Sequence, residues 1–195
     1  MTTSRLKKQI DFILEIDKLK TIIRRSYITD QSRRENDTEH SWHIALMAFT
    51  LSEYSEKKLD ILKVVKMLLI HDIVEIDAGD VIVYDIEKRK MQEEKEKKAA
   101  DRIFSKLPDD QRDDFISLWQ EFEDRKSDEA KFARALDRLQ PILLNYYSKG
   151  KTWKESGTTA GEVIEINKII EDGSSELWQF VKELISDAVD KEFLI

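Results

Sequence analysis

Cysteine is missing from all 195 residues, proline occurs twice and glycine five times. Without cysteine there is no disulfide framework and no thiolate metal site, and an intracellular, cytoplasmic location is the default expectation. So little proline and glycine leaves few residues for the many tight turns of an all-β chain. No apolar run approaches the roughly 20 residues of a transmembrane helix, so no membrane partner is expected. The opening MTTSRLKKQIDF lacks the apolar core of a signal peptide. Positive charge is also short: 33 Lys and Arg stand against 40 Asp and Glu, a formal net charge of −7. That balance argues against a general nucleic-acid surface. Histidine is the most telling scarcity. Its three copies are His40, His43 and His71, so nothing beyond position 71 can supply an imidazole.

Hydrophobic residues make up 41% and charged residues 37%, which suits an all-α fold, a single helical bundle domain over residues 1–195. Residues 4–23 place Ile10, Ile13, Leu14, Ile16 and Leu19 close to a helical stripe, as one helix or two short ones. Residues 24–37 are basic and polar without a period and read as an ordered loop. Helical patterning returns in HSWHIALMAFTLSEYS, with Asp37 or Thr38 as the cap. Asp60 caps ILKVVKMLLIHDIVEI, whose nearly all-round apolar character marks it as buried. AGDVIVYD (78–85) follows as a loop or short extended piece. The charged helix EKRKMQEEKEKKAADRIFSKL presents a solvated face and is anchored by Met91, Ala99, Ile103 and Phe104. Pro108 starts a further helix. Ser127 or Asp128 caps EAKFARALDRLQPILLNYYS, which Pro141 should kink or split. Residues 150–161, GKTWKESGTTAG, read as a loop. Two helices finish the chain within 159–192, separated by a stop at Gly173.

Chemistry concentrates in LLIHDIVEIDAGD, residues 68–80. His71 and Asp72 stand at the end of the apolar helix, followed by Glu75, Asp77 and Asp80. An imidazole beside a carboxylate can hold a divalent metal, and further carboxylates can move protons. Two residues make only part of a coordination shell. His40 and His43 lie three apart, so a two-histidine pincer is one reading, and one ligand with a packed neighbour is the other. Asp137 sits at the edge of a core-facing stripe of Phe132, Leu136, Leu139 and Leu143. A bare carboxylate there is costly; an ion pair with Arg134 or Arg138, or a metal, would each satisfy it. By position alone Glu75 reads as an ordinary solvated helix residue more readily than as part of the site.

Taken in order, Glu39-His40-Ser41, His71-Asp72 and Asp137 give the arrangement H…HD…D. In this the chain resembles the HD-domain metal-dependent phosphohydrolases. It is more similar still to the branch of the bacterial 5′-deoxynucleotidases. There an arginine-containing loop precedes E-N-x-x-E-H-S, matched here by Glu35-Asn36-Asp37-Thr38-Glu39-His40-Ser41. The HD pair is then followed by Glu and by G-D, matched by Glu75, Gly79 and Asp80. The resemblance covers roughly residues 10–150.

The resemblance implies an all-helical HD domain in which His40, His71, Asp72 and Asp137 hold one divalent ion (Mn, Co, Fe, Zn, Ni or Mg). It favours ligation over the ion pair for Asp137. Glu75 and Asp80 become the acid–base and water-orienting candidates. The loop arginine that binds substrate phosphate falls on Arg24 or Arg25; Arg24 is preferred because Ser26-Tyr27 then fits best. The activity implied is metal-dependent hydrolysis of (deoxy)nucleoside 5′-monophosphates, so the expected partner is a small-molecule phosphoester. Hydrolysis of nucleoside triphosphates or another phosphoester is the alternative, and a non-catalytic nucleotide- or metal-binding module is a third reading. Apolar surface at Trp153, Trp178 or the last helices would support a homodimer.

Overall fold

The computed structural model describes residues 4–79 and 86–195. Helix α1 (Ser4–Ile16) runs into a 3-10 turn at Asp17–Thr21. Its Phe12 is buried while Ile10, Ile13 and Leu14 are exposed. Residues 24–37, expected as a loop, instead belong mostly to an antiparallel hairpin. Strand β1 (Ile23–Tyr27) pairs with β2 (Arg34–Asn36), Ile23 opposite Asn36 and Tyr27 opposite Arg34. Strands this short and this charged show no readable period. The hairpin matters for the site because side chains alternate across a strand: Arg24 and Ser26 turn inward, whereas Arg25 is exposed.

Helix α2 (Asp37–Leu51) is capped one residue earlier than expected. Asn36 accepts from the Glu39 backbone N–H, and Glu39 reaches back to the Asn36 backbone, a reciprocal capping box. Helix α3 (Ile61–Ile70) starts at Asp60 as expected. It does not run on through Ile76. The chain tightens into a 3-10 turn at His71–Val74 and resumes as α4 (Glu75–Ala78), stopped by Gly79 at φ +76°. A tightened last turn is one way to satisfy helix-end carbonyls, and here the Leu68 carbonyl also meets the His71 ring at 2.9 Å.

Helices α5 (Ile86–Phe104), α6 (Asp109–Asp124) and α7 (Asp128–Tyr147) follow, with Pro108 before α6 and Ser127 capping α7. Ala99, Ile103 and Phe104 anchor α5, but Met91 is exposed and Gln92 is buried in its place. The Gln92 amide donates to the Ala78 and Gly79 carbonyls, at 3.4 and 3.3 Å. Pro141 does not split α7; it only withholds an N–H from the Asp137 carbonyl. The expected loop at 150–161 holds a short helix, α8 (Lys151–Ser156), between left-handed Gly150 and Gly157. Its Trp153 is buried, as is Trp178, so neither is exposed apolar surface. The chain ends with α9 (Ala160–Asn167), α10 (Ile170–Gly173) and α11 (Ser175–Asp190); α10 and α11 pack on α7.

Two apolar clusters form the interior. The larger joins α2, α3, α7 and α11 through Ile44, Met67, Phe132, Leu136 and Trp178. The smaller joins α1, α5 and α6 to the 3-10 turn through Phe12, Ile73, Phe104 and Trp119. Ile70 and Ile73, which flank His71 and Asp72, belong to the second cluster, while the His71 ring packs against Phe122 of the first, so the pair sits on the seam. Among the described residues no helix is long and apolar enough to cross a membrane.

The contact of α10 with α7 depends on Gly173, where an added Cβ would lie 2.5 Å from the Lys131 carbonyl oxygen and 2.8 Å from the Ala135 Cβ. Gly173→Ala should therefore destabilise by about 1–3 kcal/mol, as overpacking does. Gly161→Ala, on α9 with nothing within 4 Å, should instead be neutral or stabilise by up to about 1 kcal/mol. Urea unfolding of both variants checks this; equal effects would mean that the close approach at Gly173 carries no energy.

Candidate metal centre and adjoining cavity

The hydrogen-bond partners of the two buried imidazoles fix which nitrogen of each faces inward. Gln140 donates its amide N–H to Glu35 Oε1 at 2.7 Å. Its Oε1 is therefore left to accept from His40 Nδ1, 3.0 Å away. Likewise the Leu68 carbonyl can only accept, so the 2.9 Å contact makes His71 Nδ1 the donor. Both rings thus turn Nε2 toward the same point, the arrangement by which outer hydrogen bonds prepare histidine as a metal ligand.

Carboxylate oxygens surround that point. His40 Nε2 is 3.1 Å from Asp137 Oδ1 and 3.8 Å from Asp72 Oδ2. His71 Nε2 is 3.0 Å from Asp72 Oδ1 and 3.6 Å from Asp137 Oδ1. Metal–ligand bonds of about 2.0–2.2 Å put neighbouring donors roughly 3.0–3.6 Å apart around one ion. The donor set fits a divalent cation in type and in spacing. A lone pair on nitrogen facing a carboxylate oxygen at this range needs a proton or a cation between them. The His71 ring records that demand: burial works against its charge, but Asp72 and Asp137 outweigh burial and hold it up at about 10. Burial pushes the Asp72 and Asp137 carboxyls up; the histidines facing them, with Arg24 for Asp72 and Arg134 for Asp137, reverse this and leave both depressed. For His40, burial prevails and its pKa falls.

The two spacing-based readings of Asp137 turn out to be compatible. Its Oδ1 faces the histidines while its Oδ2 accepts from Arg134 Nη1 at 3.0 Å. His43 lies outside the cluster, half-buried, with its Nδ1 3.3 Å from the Gln140 amide nitrogen. Glu75 brings a carboxylate oxygen within 4.8 Å of oxygens from Asp37 and Asp72. Arg24 meets that acidic group, its Nη1 donating to Asp72 Oδ2 at 2.8 Å and to Asp37 Oδ1 at 3.0 Å. Arg25 is exposed and borders the cavity beside the centre. Asp80 lies outside the described residues.

Sequence reasoning placed Glu35 in the motif match and Asp37 there and as a candidate cap, but gave neither a role at the site, and it did not single out Gln140. Glu35 and Gln140 form the relay that orients His40, and burial raises the Glu35 carboxyl to about 7. Asp37 is wholly enclosed and raised to about 6 by burial and by neighbouring Asp72. The position of Gln140 one helical turn beyond Asp137 on the same face could have placed it near the site, but not in the relay with Glu35.

The centre opens into a cavity of about 640 Å³. Arg24, His71, Glu75 and Asp137 line its inner end, and Ile142, Trp153 and Val163 give it an apolar wall. Phe122 shields one side of the centre, its ring centroid 4.9 Å from that of His71.

Comparison with known proteins agrees with this geometry. The HD domain family model matches residues 16–178, further toward the C-terminus than the motifs alone suggest. The 5′-deoxynucleotidase HDDC2 of Homo sapiens is 29% identical over 135 residues, 69% of this chain and 65% of that protein. Its Xenopus laevis counterpart is 30% identical over 138 residues, 70% of this chain and 67% of that one. The chain thus spans about two thirds of the length of these curated relatives. A crystal structure of a predicted metal-dependent phosphohydrolase from Magnetospirillum magnetotacticum MS-1 superimposes with TM-score 0.92 at 51% identity, covering 98% of this chain and 96% of that one. An HD-domain phosphohydrolase from Listeria innocua shares the fold, with TM-score 0.73 at 18% identity over 95% of this chain and 92% of that one. With the family model covering most of the sequence and the His and Asp donors of the motif converging in space, this chain belongs to the HD-domain family.

Proposed function

We propose that this protein is a metal-dependent phosphomonoester hydrolase acting on (deoxy)nucleoside 5′-monophosphates. The observation that carries the reading is the opening of the donor cluster into a cavity of about 640 Å³ with cationic residues and an apolar wall, a size and character suited to a small ligand. The HDDC2 relatives named as 5′-deoxynucleotidases support the substrate class. In this reading His40, His71, Asp72 and Asp137 hold one divalent ion. Such an ion, when bound, acidifies water and offsets charge on the phosphoryl group.

The chain's own residues supply the rest. Gln140 and Glu35 hold His40 in its ligating tautomer, and Arg24 fixes Asp72. Glu75, beside Asp72, orients the attacking water. Asp80 donates a proton to the leaving oxygen; this role is carried over from the resemblance. Phe122 keeps water from one side of the centre.

The test is a panel of nucleoside 5′-monophosphates offered with and without divalent ions. Turnover should require the ion, and chelation should also lower the melting temperature, because binding at a hundredfold excess over Kd adds about 2.7 kcal/mol. Asp80→Asn should cut nucleotide hydrolysis by about a hundredfold to ten-thousandfold but spare aryl phosphates, whose leaving group departs unprotonated. Absence of turnover on every phosphomonoester, with the metal confirmed in place, would end the hydrolase reading. Equal losses on both substrate types would remove Asp80 as the donor.

A cytoplasmic homodimer completes the proposal, the compartment resting on the lack of cysteine. The supporting surface is on α2, where Trp42, Leu46 and Phe49 are 63%, 49% and 60% exposed along one face; Leu62 and Leu69 of α3, the helix packed on α2, are exposed as well. Exposed large apolar side chains on one helix face suit an interaction surface. Sedimentation should give a dimer for the wild type and a monomer for Trp42→Glu. A wild-type monomer at all accessible concentrations would contradict it.

A further inference from the structure

Among the guanidinium groups that line the cavity, most are already answered by carboxylates. Arg24 bridges Asp37 and Asp72. Arg134 donates to Asp137 at 3.0 Å, lies 3.4 Å from Glu123, and sits over the Phe122 ring at 4.5 Å. Arg125 approaches Glu123 at 4.0 Å. Arg138 differs. It lines the cavity, yet among the described residues it makes no hydrogen bond or ion pair, and its buried Nε has no partner. A guanidinium nitrogen buried without a hydrogen-bond partner costs free energy, and a ligand anion would offset that cost.

Its place on α7 says which anion. Arg134, Asp137, Arg138, Pro141, Ile142 and Asn145 all line the cavity, at spacings of three and one that make a single helical face. Arg138 follows Asp137 directly, a rise of about 1.5 Å along the helix. An anion gripped by Arg138 is therefore presented next to the metal donors, with the apolar wall beyond it. A guanidinium fork matches two oxygens of one phosphate.

We infer that Arg138 is the phosphate-binding cation of this site, gripping two non-bridging oxygens of the phosphomonoester, while Arg24 serves to position Asp72 and Asp37. The substrate's identity rests on the hydrolase reading above; the place of the anion rests on the unpaired guanidinium. Arg24 is the weaker anchor because turning it toward phosphate would strip Asp37, which is wholly buried, of its cation.

Calorimetric titration of inorganic phosphate into the metal-loaded full chain tests this independently of turnover. Arg138→Gln should bind phosphate about tenfold to a hundredfold more weakly, the worth of a charge-assisted bond, with metal content unchanged by elemental analysis. Its kcat/KM for a nucleoside monophosphate should fall by a similar factor. Arg138→Lys, which keeps the charge but loses the fork, should fall between, and serves as the deciding variant if Arg138→Gln does not fold. Phosphate affinity in the substituted protein within twofold of wild type, or no phosphate binding by the wild type, overturns the inference. Arg138-dependent phosphate binding without hydrolysis of any phosphomonoester would uphold it and sink the hydrolase reading instead.

Discussion

Two imidazole nitrogens and carboxylate oxygens converge at one end of a cavity, and that arrangement is stable only with positive charge at its middle. The oxygen of Asp137 is 3.1 Å from His40 Nε2 and 3.6 Å from His71 Nε2. Like-signed lone pairs at that range repel unless a proton or an ion lies between them. Asp72 and Asp137 accordingly favour the charged form of His71 against its burial, and a divalent ion between the donors would supply the same positive charge. Much of the surrounding structure serves this constraint, because each ligand must be aimed and each remaining polar atom needs a partner.

The fold brings the ligands from three places far apart in sequence. His40 comes from α2, His71 and Asp72 from the turn that ends α3, and Asp137 from α7. The seam between the two apolar clusters is where these elements meet, which keeps the centre walled by Phe122 and the two cores. The β1–β2 hairpin then closes the acidic side: strand alternation turns Arg24 inward, to the one position from which it reaches both Asp37 and Asp72. Breaking the helix at His71 has a related effect. It frees the Leu68 carbonyl to set the ring's tautomer.

Much of this was legible in the residues. The order of histidines and aspartates, the caps at Asp60 and Ser127 and the buried character of α3 are local patterns, and local patterns survive folding. The hairpin was not legible, because its strands of five and three residues carry too much charge to display a period. Nor was α8, whose single buried residue, Trp153, is flanked by glycines that read as loop. The face of α5 was misread at Met91 because a solvated helix rich in Lys and Glu gives its register few apolar markers; the buried residue there is Gln92. Gln140 escaped notice for a different reason. Its role depends on Glu35 fixing its amide from 105 residues away, and no spacing rule spans that distance.

The most direct measurement is anomalous X-ray scattering from crystals grown with a single type of transition-metal ion. One peak per chain is expected, enclosed by His40 Nε2, His71 Nε2 and the carboxylates of Asp72 and Asp137, with His43 uninvolved. A peak confined to the Asp37–Asp72–Glu75 group, or none at saturating metal, would contradict the account.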